Sequence, residues 1–101
     1  MRILFWGTPD FAVPSLRALL GEGHDVVGVV TQPDRPAGRG RGVRQSAVKV
    51  TAVEESIPVL QPERARGDDF MQQLRALEPD LSVVVAYGQI LKRDVLDVPS
   101  H

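Results

Sequence analysis

Short apolar or β-branched runs alternate along this chain with segments whose apolar residues recur at helical spacing. Runs at 2–6, 25–31 and 81–86 are predicted strands, and 59–60 is a shorter one. Strands that alternate with helices favour a parallel sheet covered by helices, so the order predicts an α/β fold: a Rossmann-like, mostly parallel sheet flanked by helices. Only Ser82 interrupts the run at 81–86, which predicts that this strand is buried on both faces.

Three helices are predicted between these strands. Asp10 is the predicted N-cap of the first, Ser46 of the second and the acidic pair 68–69 of the third. Each helix has apolar residues on one face: Ala12, Leu16, Leu19 and Leu20 in the first, Val48, Ala52 and Val53 in the second, and Phe70, Leu74 and Leu77 in the third. A further short helix is predicted to begin at Ile90.

Length and composition bound the class of protein. The 101 residues suffice for one domain, and the absence of cysteine excludes disulfides and favours a reducing compartment. No run approaches the roughly 18 apolar residues of a membrane span, and the N-terminal apolar run is too short for a signal peptide. We therefore expect a cytoplasmic protein with no membrane partner. His24 and His101 stand alone, so we expect no metal site and no catalytic triad.

Three unusual stretches directly follow predicted strands. They are GTPDF at 7–11, TQPDRPAGRGRGVR at 31–44 (the arginine loop) and AYGQIL at 86–91. Parallel strands all point the same way, so the segments after them gather at the carboxyl edge of the sheet, where ligands of such folds bind. The fold therefore predicts that all three stretches share one rim.

The first stretch, GTPDF, has two interpretations. Gly7 permits a sharp turn from strand to helix, and the helix N-terminus behind it attracts anions, so Thr8 and Phe11 are candidate ligand contacts on an active-site rim. The alternative is a tight turn capped by Asp10. The dinucleotide fingerprint G-x-G-x-x-G is absent, which argues against NAD or another nucleotide as the ligand.

The arginine loop concentrates positive charge in a chain whose formal net charge is −1. Arg35, Arg39, Arg41 and Arg44 lie among glycines and a proline that predict irregular backbone. Guanidinium groups pair with phosphates or stack on bases, so the loop is a candidate phosphate or nucleic-acid site. The alternatives are a solvated surface loop, or pairing with the chain's own acids at 54–55 and 68–69.

The third stretch is uncharged. Tyr87 and Gly88 lie just past a predicted strand, where free backbone groups suit a flat heterocycle that needs amide-like hydrogen bonds. The alternative is a plain strand end whose Ile90 and Leu91 face the core. The acidic pairs at 54–55 and 68–69 consist of neighbours whose side chains diverge, so they make poor acid/base couples. We find a binding rim and assign no catalytic group.

FWGTPDFAVPSL, VVGVVTQPDRPAGRG and VVVAYGQIL, in this order and spacing, resemble the start of the methionyl-tRNA formyltransferase family. The resemblance covers essentially the whole chain, and TQPDRPAGRG is its most specific part. It implies transfer of a formyl group from 10-formyltetrahydrofolate to the amino group of methionine on initiator tRNA, in translation initiation. It also implies a folate co-substrate, an initiator-tRNA partner and no metal.

The resemblance also implies roles for particular residues. Arg39 matches the family's critical loop arginine in contact with the tRNA acceptor arm, and Arg35 and Arg41 would support it. Arg44 is a further candidate for tRNA binding. The segment after the last strand would form the folate-side wall: Tyr87, Gly88, Gln89, Ile90 and Leu91. Family members often carry lysines after PAGRG, where this chain has Arg41 and then Gly42. The number of phosphate contacts therefore stays open.

The family's Asn-x-His pair and Ser-Leu-Leu-Pro turn are not among these residues, and His101 does not match the catalytic histidine. We therefore expect residues 1–101 to be the N-terminal part of the catalytic domain, with the rest of that domain and a C-terminal tRNA-binding domain absent, and the chain to be inactive alone. An unpaired sheet edge would promote its self-association, whereas the full-length protein is expected to be a monomer. The alternative function is a small nucleic-acid-binding module acting through its arginine-glycine loop.

Overall fold

The computed structural model describes residues 1–36, 43–64, 66–85 and 87, with backbone only at 35–36 and 43–44. Its strands are β1 Arg2–Gly7, β2 Asp25–Val30, β3 Arg35–Pro36, β4 Val43–Arg44, β5 Val59–Leu60 and β6 Leu81–Val85. Its helices are α1 Val13–Gly21, α2 Ala47–Glu54 and α3 Asp68–Ala76, and a 3-10 turn, Asp10–Ala12, precedes α1. The helix predicted from Ile90 lies outside the described residues.

The main sheet has four strands in the order β5-β2-β1-β6, and every pair is parallel. Phe5 of β1 lies opposite Val29 of β2 and opposite Val83 of β6. This sheet, flanked by helices, confirms the predicted Rossmann-like α/β fold. It also fixes the direction of the strands, so the segments that follow β1, β2, β5 and β6 all leave from one edge.

The sheet separates two buried clusters of apolar side chains, and alternation along β1 supplies both. Leu4 and Trp6 face α3, whereas Phe5 faces α1 and α2. The α3 cluster also contains Val30, Phe70, Met71, Leu74 and Tyr87; the α1–α2 cluster also contains Ala12, Leu16, Val26, Val29, Val48, Ala52 and Ile57. Burial on both faces explains why β1 reads as a continuous apolar run.

The predicted burial of β6 on both faces is wrong for the described residues. Leu81 is 38% exposed and Val84 is 45% exposed. In the part of the chain that the structure describes, β6 pairs with β1 along one side, so it lies at the edge of the described sheet. The apolar run indicated a strand correctly but could not indicate its position within the sheet.

The helix starts differ in part from the predictions. Ser46 is the N-cap of α2 as expected, and its Oγ accepts a hydrogen bond from the Lys49 N–H at 3.0 Å. The predicted cap at Asp10 is wrong, because Ala12 donates its N–H to the Pro9 carbonyl and the chain makes a 3-10 turn before α1.

Two further details of α2 and α3 also differ. The acidic pair of α3 lies in its first turn rather than at its cap, since Gly67 is the N-cap and its carbonyl accepts the Met71 N–H at 3.0 Å. Val53 was predicted to share the apolar face of α2 but is 60% exposed, because α2 packs through Val48, Thr51 and Ala52 instead.

Candidate functional site at the carboxyl edge of the sheet

Three segments that follow different strands meet at the carboxyl edge. Thr8, after β1, donates its hydroxyl to the Tyr87 carbonyl oxygen at 2.8 Å. Gln32, after β2, donates its side-chain amide to the same oxygen at 3.2 Å and its backbone N–H to the Thr8 Oγ1 at 3.3 Å. We call these three residues the strand-end junction. It confirms that the beginnings of all three unusual stretches share one rim.

An open cleft of about 650 Å³ lies beside the strand-end junction. Residues 8–11, 32–33 and 45–47 line it, so the segments after β1 and β2 and the start of α2 all contribute. Thr8 and Phe11 therefore border a cavity, and their contact with a ligand stays a prediction. Phe11 is 68% exposed, which leaves an aromatic ring at the margin of the cleft with little protein against it.

Gly7 immediately precedes Thr8 in the chain, and packing explains why it is glycine. A Cβ atom there would lie 2.8 Å from Phe5 Cε2, 3.0 Å from the Val85 carbonyl oxygen and 3.1 Å from the Ala12 Cβ. These distances are shorter than ordinary van der Waals contacts, and one of the neighbours is backbone. Gly7 thus permits close approach of β1, β6 and the 3-10 turn, and its φ lies outside the left-handed region.

Tyr87 belongs largely to the core. Its ring is buried and meets the Trp6 ring edge-on, with centroids 5.3 Å apart and planes at 82°. Its carbonyl already accepts two hydrogen bonds, and its hydroxyl is buried without a partner among the described residues. Burial raises the pKa of Tyr87 to about 12. The remaining predicted folate residues, Gly88, Gln89, Ile90 and Leu91, lie outside the described residues.

The ends of the arginine loop are more regular than expected. β3 and β4 pair antiparallel, with Arg35 opposite Arg44 and Pro36 opposite Val43. We call this two-pair ladder the arginine ribbon. Prolines are tolerated at edge positions of a sheet, which is why Pro36 does not prevent the pairing. Arg39 and Arg41 lie outside the described residues, so the predicted RNA contacts of the arginines stay a prediction.

A polar network at the base of the arginine ribbon was not predicted. Lys49 Nζ donates to Asp34 Oδ2 at 2.7 Å, and Gln61 Nε2 donates to Asp34 Oδ1 at 2.7 Å. Gln61 also donates to the Gln32 carbonyl oxygen at 3.2 Å. The hydrogen bond from Lys49, followed by that from Gln61, holds the pKa of Asp34 below its ordinary value. No local spacing could have indicated this network, since its members lie on three separate segments.

A second unpredicted link joins the end of β2 to the start of α2. The Thr31 Oγ1 and the Ser46 Oγ share a hydrogen bond of 2.7 Å, and Thr31 is fully buried. Ser46 was predicted as a helix cap alone. It therefore has two roles, because it also joins the arginine loop's first residue to the helix that follows the loop.

Neither a metal centre nor a membrane span is found in the described ranges. Across residues 1–36, 43–64, 66–85 and 87, no three histidine, cysteine, aspartate or glutamate side chains cluster closely enough to hold a metal ion. Helices in those same ranges are all too short or too polar to cross a bilayer.

Comparison with known proteins identifies the family. The formyl transferase family pattern matches residues 1–101. The chain belongs to the formyl transferase family. It is 60% identical over 101 residues to a methionyl-tRNA formyltransferase of Stenotrophomonas maltophilia and 59% identical over 101 residues to one of Xanthomonas axonopodis. Each alignment covers 100% of this chain and 33% of the relative.

A more distant relative agrees with this assignment. The methionyl-tRNA formyltransferase of Sulfurihydrogenibium is 49% identical over 102 residues, again across the whole of this chain and 33% of its own length. The resemblance inferred from the three motifs is therefore confirmed. This formyl transferase chain spans about a third of the length of the curated relatives it matches.

Proposed function

We propose that this chain forms part of an enzyme that transfers a formyl group from 10-formyltetrahydrofolate to the amino group of methionine on initiator tRNA. Family membership supports the formyl transfer, and the names of the relatives support the tRNA substrate. The structural observation that carries the proposal is the strand-end junction. It brings the starts of the predicted tRNA-binding and folate-binding segments to one edge, beside a cleft of about 650 Å³.

Different segments at this edge would bind the two substrates. In the proposal, Arg35, Arg39, Arg41 and Arg44 hold phosphates of the tRNA acceptor arm, for which guanidinium groups are suited by their planar donor geometry. Backbone groups of residues 87–91 bind the pterin ring of the folate. Because the Tyr87 carbonyl is occupied within the protein, the groups that remain for the folate would follow it in the chain.

The chain's own residues would bind and orient substrates in this scheme. We assign no catalytic acid or base to residues 1–101, no metal is invoked, and we place the reaction in the cytoplasm. Thr8 and Gln32 would keep the two binding segments in register, because both side chains bond to the carbonyl that begins the folate segment. Chemistry then requires groups from elsewhere in the enzyme.

The proposal is tested by assaying the complete gene product for formylation of methionyl initiator tRNA. We expect formylation that requires 10-formyltetrahydrofolate and discriminates against elongator methionyl-tRNA, and we expect codons beyond 101 to encode the Asn-x-His and Ser-Leu-Leu-Pro stretches. Tight RNA binding with no formyl transfer and no such codons would favour the alternative, a nucleic-acid-binding module. Saturable binding of NAD or ATP would contradict both.

A further inference from the structure

Asp34 occupies the junction between the main sheet and the arginine ribbon. It lies four residues after the last residue of β2 and immediately before β3. Its two carboxylate oxygens are each held by a different partner, Lys49 of α2 and Gln61 after β5, at 2.7 Å in both cases. Both contacts are therefore made at the point where the arginine ribbon begins.

The Asp34–Lys49 pair differs from an ordinary surface ion pair. The side chains are 26% and 17% exposed, whereas the Arg17–Glu54 pair, which also involves α2, is 52% and 58% exposed. The Asp34–Lys49 pair also has the shorter N···O distance, 2.7 Å against 3.5 Å for Arg17–Glu54. Exposed ion pairs contribute little, while partly buried charge-assisted hydrogen bonds fix geometry. The first pair can therefore hold a segment in place and the second cannot.

We propose that Asp34 is a positioning residue, which fixes the arginine ribbon against α2 and the segment after β5 so that its arginines meet RNA phosphates in one orientation. This inference rests on the proposed function. A ladder of two residue pairs is too short to be stable alone in water, so the ribbon needs an anchor outside itself. Anchoring it before RNA arrives lowers the conformational entropy lost on binding.

A direct electrostatic effect of Asp34 on RNA would change tRNA affinity in the opposite direction to a positioning effect. The direction of the change therefore tests the proposal. Asp34 is an anion next to a surface that is proposed to bind phosphates. If its charge acted directly on RNA, removing that charge would tighten binding. If Asp34 acts through Lys49 and Gln61, removing it loosens the arginine ribbon and weakens binding.

The experiment uses the complete gene product and initiator tRNA. We expect Asp34→Asn to weaken tRNA affinity, and to raise the KM for tRNA, by about tenfold, the loss typical of one charge-assisted hydrogen bond. The KM for the formyl donor should stay within about twofold, since the donor is proposed to bind elsewhere on the rim. Glu54→Gln, which removes the exposed ion pair of α2, serves as the matched control and should leave both values unchanged.

Two further measurements separate positioning from direct contact. The double variant Asp34→Asn/Lys49→Met should bind tRNA with the same affinity as whichever single variant binds it less tightly, because both substitutions break the same ion pair. The slope of log affinity against log salt should be unchanged in Asp34→Asn. In contrast, Arg44→Ala, which removes a proposed phosphate contact, should make the slope shallower by about 0.7–0.9.

Wild-type or tighter tRNA binding by Asp34→Asn, with a circular dichroism spectrum like that of the wild type, would overturn the inference and leave the proposed function standing. An equal rise in both KM values would also overturn it, since the network would then support the cleft as a whole. If Asp34→Asn fails to fold, Lys49→Met decides by the same two KM values together with the salt slope, which stays unchanged only if Lys49 does not contact phosphate itself. Failure of the wild type to bind or formylate initiator tRNA would remove the proposed function and this inference together.

Discussion

The Thr8 hydroxyl donates a 2.8 Å hydrogen bond to the Tyr87 carbonyl across 79 positions of sequence. The bond joins the segment after β1 to the segment after β6 and leaves the Thr8 oxygen free to accept the Gln32 N–H. One side chain thus connects three segments at the edge where both substrates are proposed to bind. Its contribution can be measured.

Replacing Thr8 by Val should destabilise the protein by about 1–3 kcal/mol, because a carbonyl and an N–H would lose a partner in a partly buried place. Urea unfolding of the complete gene product measures this. Thr8→Ser is the matched control; it keeps the hydroxyl and should cost about 0.8 kcal/mol or less for the lost methyl group. Equal losses in the two variants would show that the methyl group, not the hydroxyl, matters.

The buried Tyr87 hydroxyl has no partner among the described residues, so it costs desolvation without a compensating bond. Tyr87→Phe should therefore leave stability unchanged or raise it by up to about 1 kcal/mol, in contrast to the loss expected for most core substitutions. Thermal unfolding of the two proteins side by side measures the effect. A clear drop in the unfolding temperature would mean that the hydroxyl has a partner.

The same residue should make stability depend on alkaline pH. The pKa of Tyr87 is about 12 in the folded protein, against about 10 for an exposed tyrosine. Above pH 10 the unfolded chain ionises and the folded one does not, so stability should fall as pH rises from about 10 to 12. The difference in tyrosinate absorbance between wild type and Tyr87→Phe follows this group alone. A midpoint near 10 in the folded protein would contradict its burial.

Alanine substitutions at three glycines should rank in a definite order. Gly7→Ala should cost about 1–3 kcal/mol, because the new Cβ meets the Val85 carbonyl, which cannot rotate away. Gly28→Ala should cost less, since its closest contact is the end of the flexible Leu77 side chain at 2.7 Å. Gly21→Ala, at the end of α1 with open space around it, should be neutral or stabilising by up to about 1 kcal/mol.

Chemical denaturation of the three alanine variants checks this order. Gly21→Ala controls for the general effect of alanine on the unfolded chain, which all three variants share. A loss of stability at Gly28 larger than that at Gly7 would contradict the order. It would show that the Leu77 side chain gives way less easily than the neighbours of Gly7.

Asp34 should make the free energy of unfolding fall as pH is lowered, whereas Tyr87 makes it fall as pH is raised. Its folded pKa is lowered by its hydrogen bonds to Lys49 and Gln61, so its contribution is present above the ordinary carboxyl pKa of about 3.9 and is lost as pH falls through the folded value. The stability difference between wild type and Asp34→Asn should be constant near neutral pH and shrink below about pH 4. Lys49→Met, which removes the largest cause of the lowered pKa, should weaken that dependence.

The fold was predictable because it depends on local patterns that the chain states clearly. β1 is buried on both faces and reads as an apolar run, and Ser46 before a helical repeat marks a true N-cap. Local patterns failed to predict burial where burial depends on which elements pack against a residue. Val53 has the spacing of a core residue but faces solvent, and Val84 lies in a strongly apolar strand at the edge of the described sheet.

The candidate site was predictable in place but not in its contacts. Parallel strands bring their carboxyl ends together, so the shared rim followed from strand order alone. The pairing of Asp34 with Lys49 and Gln61 is a tertiary arrangement among residues 15 and 27 positions apart, with no local signature in any of the three segments. Gln32 was missed for the same reason, because its bonds to Thr8 and Tyr87 depend on where β1 and β6 end.

Trp6, the chain's only tryptophan, is fully buried and contacts two aromatic rings from different parts of the fold. Phe70 of α3 meets it edge-on at 6.0 Å, and Tyr87, which holds the strand-end junction, meets it edge-on at 5.3 Å. Its emission will therefore respond both to loosening of the helix and to movement of the backbone at the rim. Within residues 1–101, Trp6 is thus an intrinsic fluorophore whose emission reports on the strand-end junction without an added label.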